Sequence, residues 1–173
     1  LCTLVRAAPS RAHSRDSARA GGTPSKGAVA SRPPALRTLH LAGNNLGART
    51  AAPLAAALAE SALTELDLSW NLLLAAGVEA LALALQTKAS SLQTLKLGWN
   101  GAGPKGGLAL GAMLSANSTL TSLDVQHNNL DGVAAAVIAQ AVQHDNRSLR
   151  TLELSHNPLG RKGSTSPSSS TTS

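Results

Sequence analysis

The chain has 173 residues, one cysteine, no phenylalanine or tyrosine, and a formal net charge of +6. A single cysteine excludes an internal disulfide framework, and no run of about 18 apolar residues is available to span a membrane. The length suits one domain, whose core must be aliphatic.

The positive charge lies outside the part of the chain that carries the apolar pattern. Residues 1–35 hold six Lys and Arg against one acid, and Arg161 and Lys162 add two more positive charges. Residues 36–160 hold seven basic and eight acidic residues, a balance of −1. A folded surface with this balance lacks the basic footprint of a nucleic-acid-binding protein, so no nucleic-acid partner is expected.

The two ends of the sequence differ in composition from the middle. Residues 1–35 are predicted to be a disordered basic extension, with an organellar presequence or misassigned coding sequence as alternatives. Residues 164–173, STSPSSSTTS, are predicted to be a disordered Ser/Thr tail. Residues 36–163 form the predicted repeat domain. Its last repeat has no polar cap, which predicts that the array is a fragment of a longer protein.

The middle of the chain repeats one pattern five times. With Leu63 as position 1, the unit LTELDLSWNLLLAAGVEALALAL has relatives that start at Leu36, Leu92, Leu120 and Leu149, at spacings of 27, 29, 28 and 29 residues. Self-similarity this regular is typical of a solenoid, in which each unit contacts its neighbours.

Each unit has two halves with different periods. The first half alternates apolar and polar residues, which predicts a short strand with one buried face. The second half places Leu73, Gly77, Leu81 and Leu85 four residues apart, on one face of a helix. Neither element can bury its apolar face alone, so the units must stack. The sequence predicts an α/β solenoid with a parallel concave sheet and convex helices, and places Pro53 near the first turn of its helix.

Position 9 is asparagine in every copy. A primary amide both donates and accepts hydrogen bonds, so a stacked column of asparagines can satisfy backbone groups where the strands end. The predicted structural column consists of Asn44, Asn71, Asn100, Asn128 and Asn157.

The pattern LxxLxLxxNxLxxxGxxxLxxxL resembles the ribonuclease-inhibitor-like class of leucine-rich repeats. Three segments, LDLSWN at 66–71, LGWNGAGPKGGLALG at 97–111 and LDVQHNNL at 123–130, are similar to the leucine-rich repeat-containing protein 74 family. The resemblance implies an intracellular, non-enzymatic protein whose partner is unknown. Thr50 and Ala134 depart from the consensus glycine at position 15, and swaps of this size are tolerated.

Positions 3 and 5 of each strand are predicted to face the open side of the sheet, and position 8 follows directly after the strand. Trp70 and Trp99 share position 8 of adjacent repeats, so they form an apolar platform at the rim of the sheet or, alternatively, cover the asparagine column. The predicted partner-binding residues are Glu65, Asp67, Trp70, Lys96, Trp99, Asp124, His127 and Glu153.

The sequence contains no recognisable reaction centre. His127 and His156, with Asp124 or Glu153, give too few spaced ligands for a metal site. The segment GAGPKGG at 101–107 lacks the spacing of a phosphate-binding loop. No catalytic residue, metal or cofactor is therefore predicted. Two glycosylation sequons, at residues 117–119 and 146–148, are expected to be unused.

These observations predict a monomeric, cytoplasmic scaffold that binds another protein through its concave face, away from any membrane. Two alternatives come from the repeat class alone. One is a GTPase-activating protein of the Ran GTPase activator type, although an acidic C-terminal segment is replaced here by Ser and Thr. The other is the sensor array of a nucleotide-binding immune receptor, which would carry a nucleotide-binding module upstream.

Overall fold

The computed structural model describes residues 36–86 and 91–160, with only the backbone described at 59 and 60. The predicted basic extension at 1–35 and the predicted Ser/Thr tail at 164–173 lie outside the described residues. The array between them is described repeat by repeat.

Five short strands form one parallel sheet, and each occupies positions 3 to 5 of its repeat. The order in the sheet follows the order in the chain, with equivalent positions of neighbouring repeats in register, as in the pairing of Leu66 with Leu95. The predicted strands and their parallel arrangement are confirmed. The strands are β1 (Thr38–His40), β2 (Glu65–Asp67), β3 (Thr94–Lys96), β4 (Ser122–Asp124) and β5 (Thr151–Glu153).

A helix follows each of the first four strands, and successive helices pack side by side. Helices pack about 8–10 Å apart, whereas neighbouring strands are about 4.8 Å apart, so the sheet takes the inner, concave side of the array. The predicted α/β solenoid is therefore confirmed. The helices are α1 (Ala48–Glu60), α2 (Leu74–Leu85), α3 (Gly103–Ala116) and α4 (Gly132–Gln140).

The core lies between the sheet and the helices and is aliphatic, as predicted. Leu66 and Leu68 point inward from β2 and its continuation, and Leu81 and Leu85 meet them from α2; all four are fully buried. Burying one leucine contributes about 1.5–3 kcal/mol relative to leaving it exposed. Because equivalent leucines recur in the neighbouring repeats, the stack has one continuous core.

Helices α3 and α4 approach each other most closely at two glycines. A Cβ atom on Gly107 would lie 2.5 Å from Ala134 Cβ, and one on Gly111 would lie 2.6 Å from Val137 Cγ1. The buried Ala134, at the consensus glycine position, therefore fits because its partner on the neighbouring helix has no side chain. These glycines are needed for close helix packing.

Pro53 lies early in its helix. Helix α1 begins at Ala48, as in the predicted segment, which puts Pro53 in the second turn. There it removes the amide that would donate to the carbonyl of Arg49. Both residues are exposed, so water has access to that side of the helix.

A π-helical segment, Ala141–Asp145, continues α4. Repeat four has one residue more than repeat three between its start and the asparagine that ends its helix. In repeat three the amide of Asn117 donates to Met113, four residues back, whereas the amide of Asn146 donates to Ala141, five residues back. The wider turn absorbs the extra residue, so that Asn146 keeps the register of Asn117.

Candidate functional site

Position 8 has the same unusual backbone in all five repeats. Its φ angle is positive, between 51° and 71°, a region that favours glycine. Each amide at this position in the first four repeats donates to the residue at position 7 of the next repeat; Trp70, for example, bonds the Gly98 carbonyl at 2.8 Å. The residues at this position are Gly43, Trp70, Trp99, His127 and His156.

The four ring-bearing residues at position 8 stack into a continuous ladder. Ring centroids are 4.4 Å apart between Trp70 and Trp99, 3.8 Å between Trp99 and His127, and 4.1 Å between His127 and His156. These distances are close to the strand spacing, so the parallel sheet sets the stacking. These four residues, Trp70, Trp99, His127 and His156, are the ring ladder.

The ring ladder lies at the surface. Trp70 is 58% exposed and Trp99 is 40% exposed, although Trp99 is covered on both faces by its neighbours in the ladder. The two tryptophans stack at the surface, and both predicted roles, an apolar platform or a cover over the asparagine column, stay predictions. Leu72 and Leu74 are also exposed and follow Trp70 closely in the chain, which enlarges the apolar surface of repeat two. Sequence analysis missed these two leucines because they lie between core positions.

On the sheet face, Lys96 forms ion pairs with two acids of the neighbouring strand. Its Nζ lies 3.2 Å from Glu65 Oε1 and 3.9 Å from Asp67 Oδ2. From the preceding strand, His40 approaches the same oxygen, with its Nδ1 4.0 Å from Asp67 Oδ2. The register of the strands brings these groups together, since Asp67 pairs with Lys96 and His40 pairs with Asp67.

Each acid at position 5 also accepts a hydrogen bond from the backbone amide two residues later, just after its strand ends. Oδ1 of Asp67 accepts from the amide of Ser69 at 2.9 Å, and Oδ1 of Asp124 accepts from the amide of Gln126 at 3.0 Å. Glu153 accepts from both the hydroxyl and the amide of Ser155, and these two bonds lower the pKa of its carboxyl. These hydrogen bonds hold the three carboxylates in place.

His127 and His156 stack without a third ligand. Half-burial lowers the pKa of His127, and the neighbouring His156 lowers it further. Within residues 36–86 and 91–160, no group of three or more His, Cys, Asp or Glu side chains is arranged to hold a metal ion.

The asparagines at position 9 connect adjacent repeats. The side-chain amide of Asn100 donates to Leu97 in its own repeat at 3.0 Å and to Leu68 in the preceding repeat at 2.9 Å. The side-chain oxygen Oδ1 of Asn128 accepts from the backbone amides of Asn100 and Ala102. Asn71 and Asn157 bond across repeats in the same way. Asn44 is exposed, and its side chain donates to Ala42 in its own repeat, while its backbone amide donates to Asn71 Oδ1.

Two further asparagines are buried, and the sequence analysis did not predict their burial. Asn117 donates to Leu85 of the preceding repeat, and Asn146 donates to Asn117 and accepts from Leu149. The available signal was their shared location, three residues before the next repeat starts. Both head a glycosylation sequon, but their amide nitrogens are buried and hydrogen-bonded in the folded chain.

No helix in the described part of the chain is long and apolar enough to cross a membrane.

Comparison with known families identifies the repeats. A family model described as "Leucine Rich repeat" matches residues 34–55, 61–82, 88–111, 116–139 and 145–163. The chain belongs to the leucine-rich repeat family. The matched segments coincide with the five units described above and together cover more than half of the chain.

Two similar proteins place this leucine-rich repeat chain in context. It is 39% identical over 132 residues to the Tonsoku-like protein of Bos taurus, a match that covers 73% of this chain and 10% of the relative. The chain thus spans about a tenth of that relative's length. Among solved structures, "Leiomodin-1 Actin-Binding Site 2 (ABS2)" has a TM-score of 0.60 at 21% identity, over 68% of this chain and 69% of that one. This structural likeness concerns the fold alone.

Proposed function

We propose that this leucine-rich repeat array is a non-enzymatic scaffold that binds a partner protein through its sheet face and the adjoining ring ladder. The single observation that carries the proposal is the ring ladder, because it lies at the surface and its residues occupy a backbone conformation that disfavours them. The partner-binding set predicted from sequence is retained in full.

The fold does not require rings at position 8. A left-handed backbone costs a residue with a side chain about 1–2 kcal/mol, and repeat one uses Gly43 there without losing its hydrogen bond to Ser69. Stacking returns about 0.5–1.5 kcal/mol for each of three pairs, which offsets only part of the strain at the four residues. Side chains that contribute little net stability and remain exposed are candidates for recognition.

The sheet face supplies polar contacts next to these rings. It presents four carboxylates and one lysine at positions 3 and 5, held by the ion pairs and strand-end hydrogen bonds described above. Interfaces commonly combine aromatic anchors with a polar surround. The Leiomodin-1 structure is named for an actin-binding site, which supports protein recognition by this fold and does not identify the partner here.

Finer assignments belong to the same proposal. The 27 to 29-residue spacing and the consensus support the ribonuclease-inhibitor-like class, and the quoted segments support the leucine-rich repeat-containing protein 74 family. We further propose a cytoplasmic monomer without nucleic-acid or membrane contacts, with domain limits at residues 36 and 163. The balance of −1 over residues 36–160 supports the exclusion of nucleic acid.

A variant of the sheet face and ladder tests the proposal. The substitutions are Trp70→Ala, Trp99→Ala and Asp67→Lys in one chain, used to capture proteins from cell extract alongside the wild type. A protein retained by the wild type alone is then purified and its dissociation constant measured. Truncation of a true anchor costs about 2 kcal/mol or more, so we expect at least about 30-fold weaker binding.

The control variant changes the same residue classes on the helical side. Leu83→Ala, Leu108→Ala and Glu79→Lys remove two exposed leucines and reverse one exposed acid. Circular dichroism establishes that both variants fold. If the helical variant loses the partner and the sheet-face variant keeps it, the helices carry the function instead.

A further inference from the structure

The ring ladder has five rungs but only four rings. In repeat one the rung is Gly43, whose φ of +71° and amide bond to Ser69 at 2.9 Å match the other rungs. The backbone therefore continues the ladder at the same spacing, but no ring covers the next position. This position beside Trp70 is the open rung.

The open rung is accessible. Within residues 36–86 and 91–160, a Cβ atom on Gly43 would meet nothing within 4 Å. One face of Trp70 packs on Trp99, and because the strands run in chain order, its other face looks towards repeat one. The exposures agree: Trp70, with one ring neighbour, is more exposed than Trp99, which has two.

The charge beside the open rung is negative. Asp67 lies on the strand that leads to Trp70, and its Oδ2 lies 4.0 Å from His40 Nδ1 in repeat one and 3.9 Å from Lys96 Nζ in repeat three. Lys96 engages Glu65 more closely, at 3.2 Å, than Asp67, at 3.9 Å. Asp67 is therefore only partly neutralised, and a further cation near repeat one would meet its carboxylate.

We propose that the open rung binds the guanidinium group of an arginine side chain from the partner protein. Guanidinium is planar, so it can stack at the spacing of the ladder, and its charge favours both the tryptophan face and the carboxylate. A neutral aromatic ring would gain the stacking but not the charge pairing. This inference rests on the proposed recognition function and adds the chemistry of one contact.

The two tryptophans make the test specific. They are the only indoles in the chain, so a proton–nitrogen NMR spectrum of the full chain has two indole signals, which Trp99→Phe assigns. The probe is the peptide acetyl-Gly-Arg-Gly-amide, titrated to millimolar concentration because a single exposed cation–π contact is weak. We expect the Trp70 indole to shift while the Trp99 indole, covered on both faces, stays in place.

Two histidine substitutions separate occupancy of the rung from backbone strain. Gly43→His adds a fifth ring of a type already present in this conformation at His127 and His156, and should abolish the shift. Gly103→His introduces the same ring at φ +61° with nothing within 4 Å, and should preserve it. The same spectra report whether each variant is folded.

Peptides that replace arginine with citrulline or phenylalanine test the chemistry. Both should shift the Trp70 indole several-fold less at equal concentration. Equal shifts with either peptide, movement of both indoles, persistence in Gly43→His, or no response to the arginine peptide would each overturn the proposal. Partner loss in the Trp70, Trp99 and Asp67 variant, together with no arginine response, would reject the open rung and leave the recognition face intact.

Discussion

The ring of Trp99 lies 3.8 Å from the ring of His127, with the two planes 17° apart. This contact joins the tryptophan half of the ladder to the histidine half. A proton added to His127 therefore arrives directly against an indole, where fluorescence and NMR can detect it.

The ladder should make stability depend on pH. Half-burial and His156 lower the pKa of His127 below its ordinary value of about 6.5, so the folded chain binds this proton less readily than the unfolded chain. The contribution of His127 is complete above about pH 6.5 and is lost as the pH falls from there through the folded pKa. Urea unfolding across this range should show a smaller loss in His127→Gln than in the wild type.

The same titration can be followed in the folded state. His156→Gln removes the neighbouring charge and should raise the pKa of His127, as read from its imidazole NMR signals. A wild-type value at or above that of free histidine would show that the ladder does not disfavour the charged form.

The asparagine column should contribute to stability where it is buried. Asn100→Leu removes the Oδ1 that accepts from the buried amide of Leu73, and it removes one of the two asparagine donors to the carbonyls of Leu68 and Leu97. A buried group left unpaired costs about 1–3 kcal/mol. Asn44→Leu, at an exposed site, should stay within about 0.5 kcal/mol of the wild type. Equal unfolding free energies for the two variants in urea would argue against a stabilising column.

Because α3 packs closely on α4, substitutions at Gly107 and Ala134 should have coupled effects on stability. Gly107→Ala places a methyl group 2.5 Å from Ala134 Cβ and should destabilise by about 1–3 kcal/mol. Adding Ala134→Gly removes the closer of two clashing atoms and leaves Leu130 Cδ2 at 2.9 Å, so it should recover part of that loss. A double-mutant cycle measures this recovery as a coupling energy. Simple additivity of the two changes would mean that the helices separate instead of clashing.

The π-helical segment predicts that one deletion is tolerated. Removing Gln143, an exposed residue, gives repeat four the length of repeat three and allows Asn146 to bond four residues back. The free energy of unfolding should change by less than about 1 kcal/mol. Removing Ala112 from α3 shifts Asn117 out of register and should cost several times more. A greater loss from the Gln143 deletion would show that the wide turn itself is stabilising.

Sequence periodicity was sufficient for the strands, because burial on one side of a two-residue period allows one register. Position 8 was less predictable. Alignment of the repeats predicted that Trp70 and Trp99 lie beside each other. It did not predict their left-handed backbone, because tryptophan gives no signal for that conformation. The extra residue in repeat four was visible as a 29-residue spacing, yet spacing alone does not say which turn absorbs it.

Some polar contacts could likewise be predicted from the sequence, and others could not. The pairing of Lys96 with Asp67 follows from strand register, so both residues could be placed on one face beforehand. The burial of Asn117 and Asn146 could not be predicted, because these residues lie in loops, where the apolar periodicity ends. Their burial depends on the neighbouring repeat, whose carbonyls they bond.

The most direct test of the recognition face is site-specific photocrosslinking. Benzoylphenylalanine replaces Thr94 in β3, at the centre of the sheet face, or Ala112 in α3, an exposed site on the helical side of the same repeat. Each full-length chain is irradiated with the captured partner and the products are separated by mass. We expect a crosslinked product from position 94 and none from position 112; a product from position 112 alone would show that the partner binds the helical side.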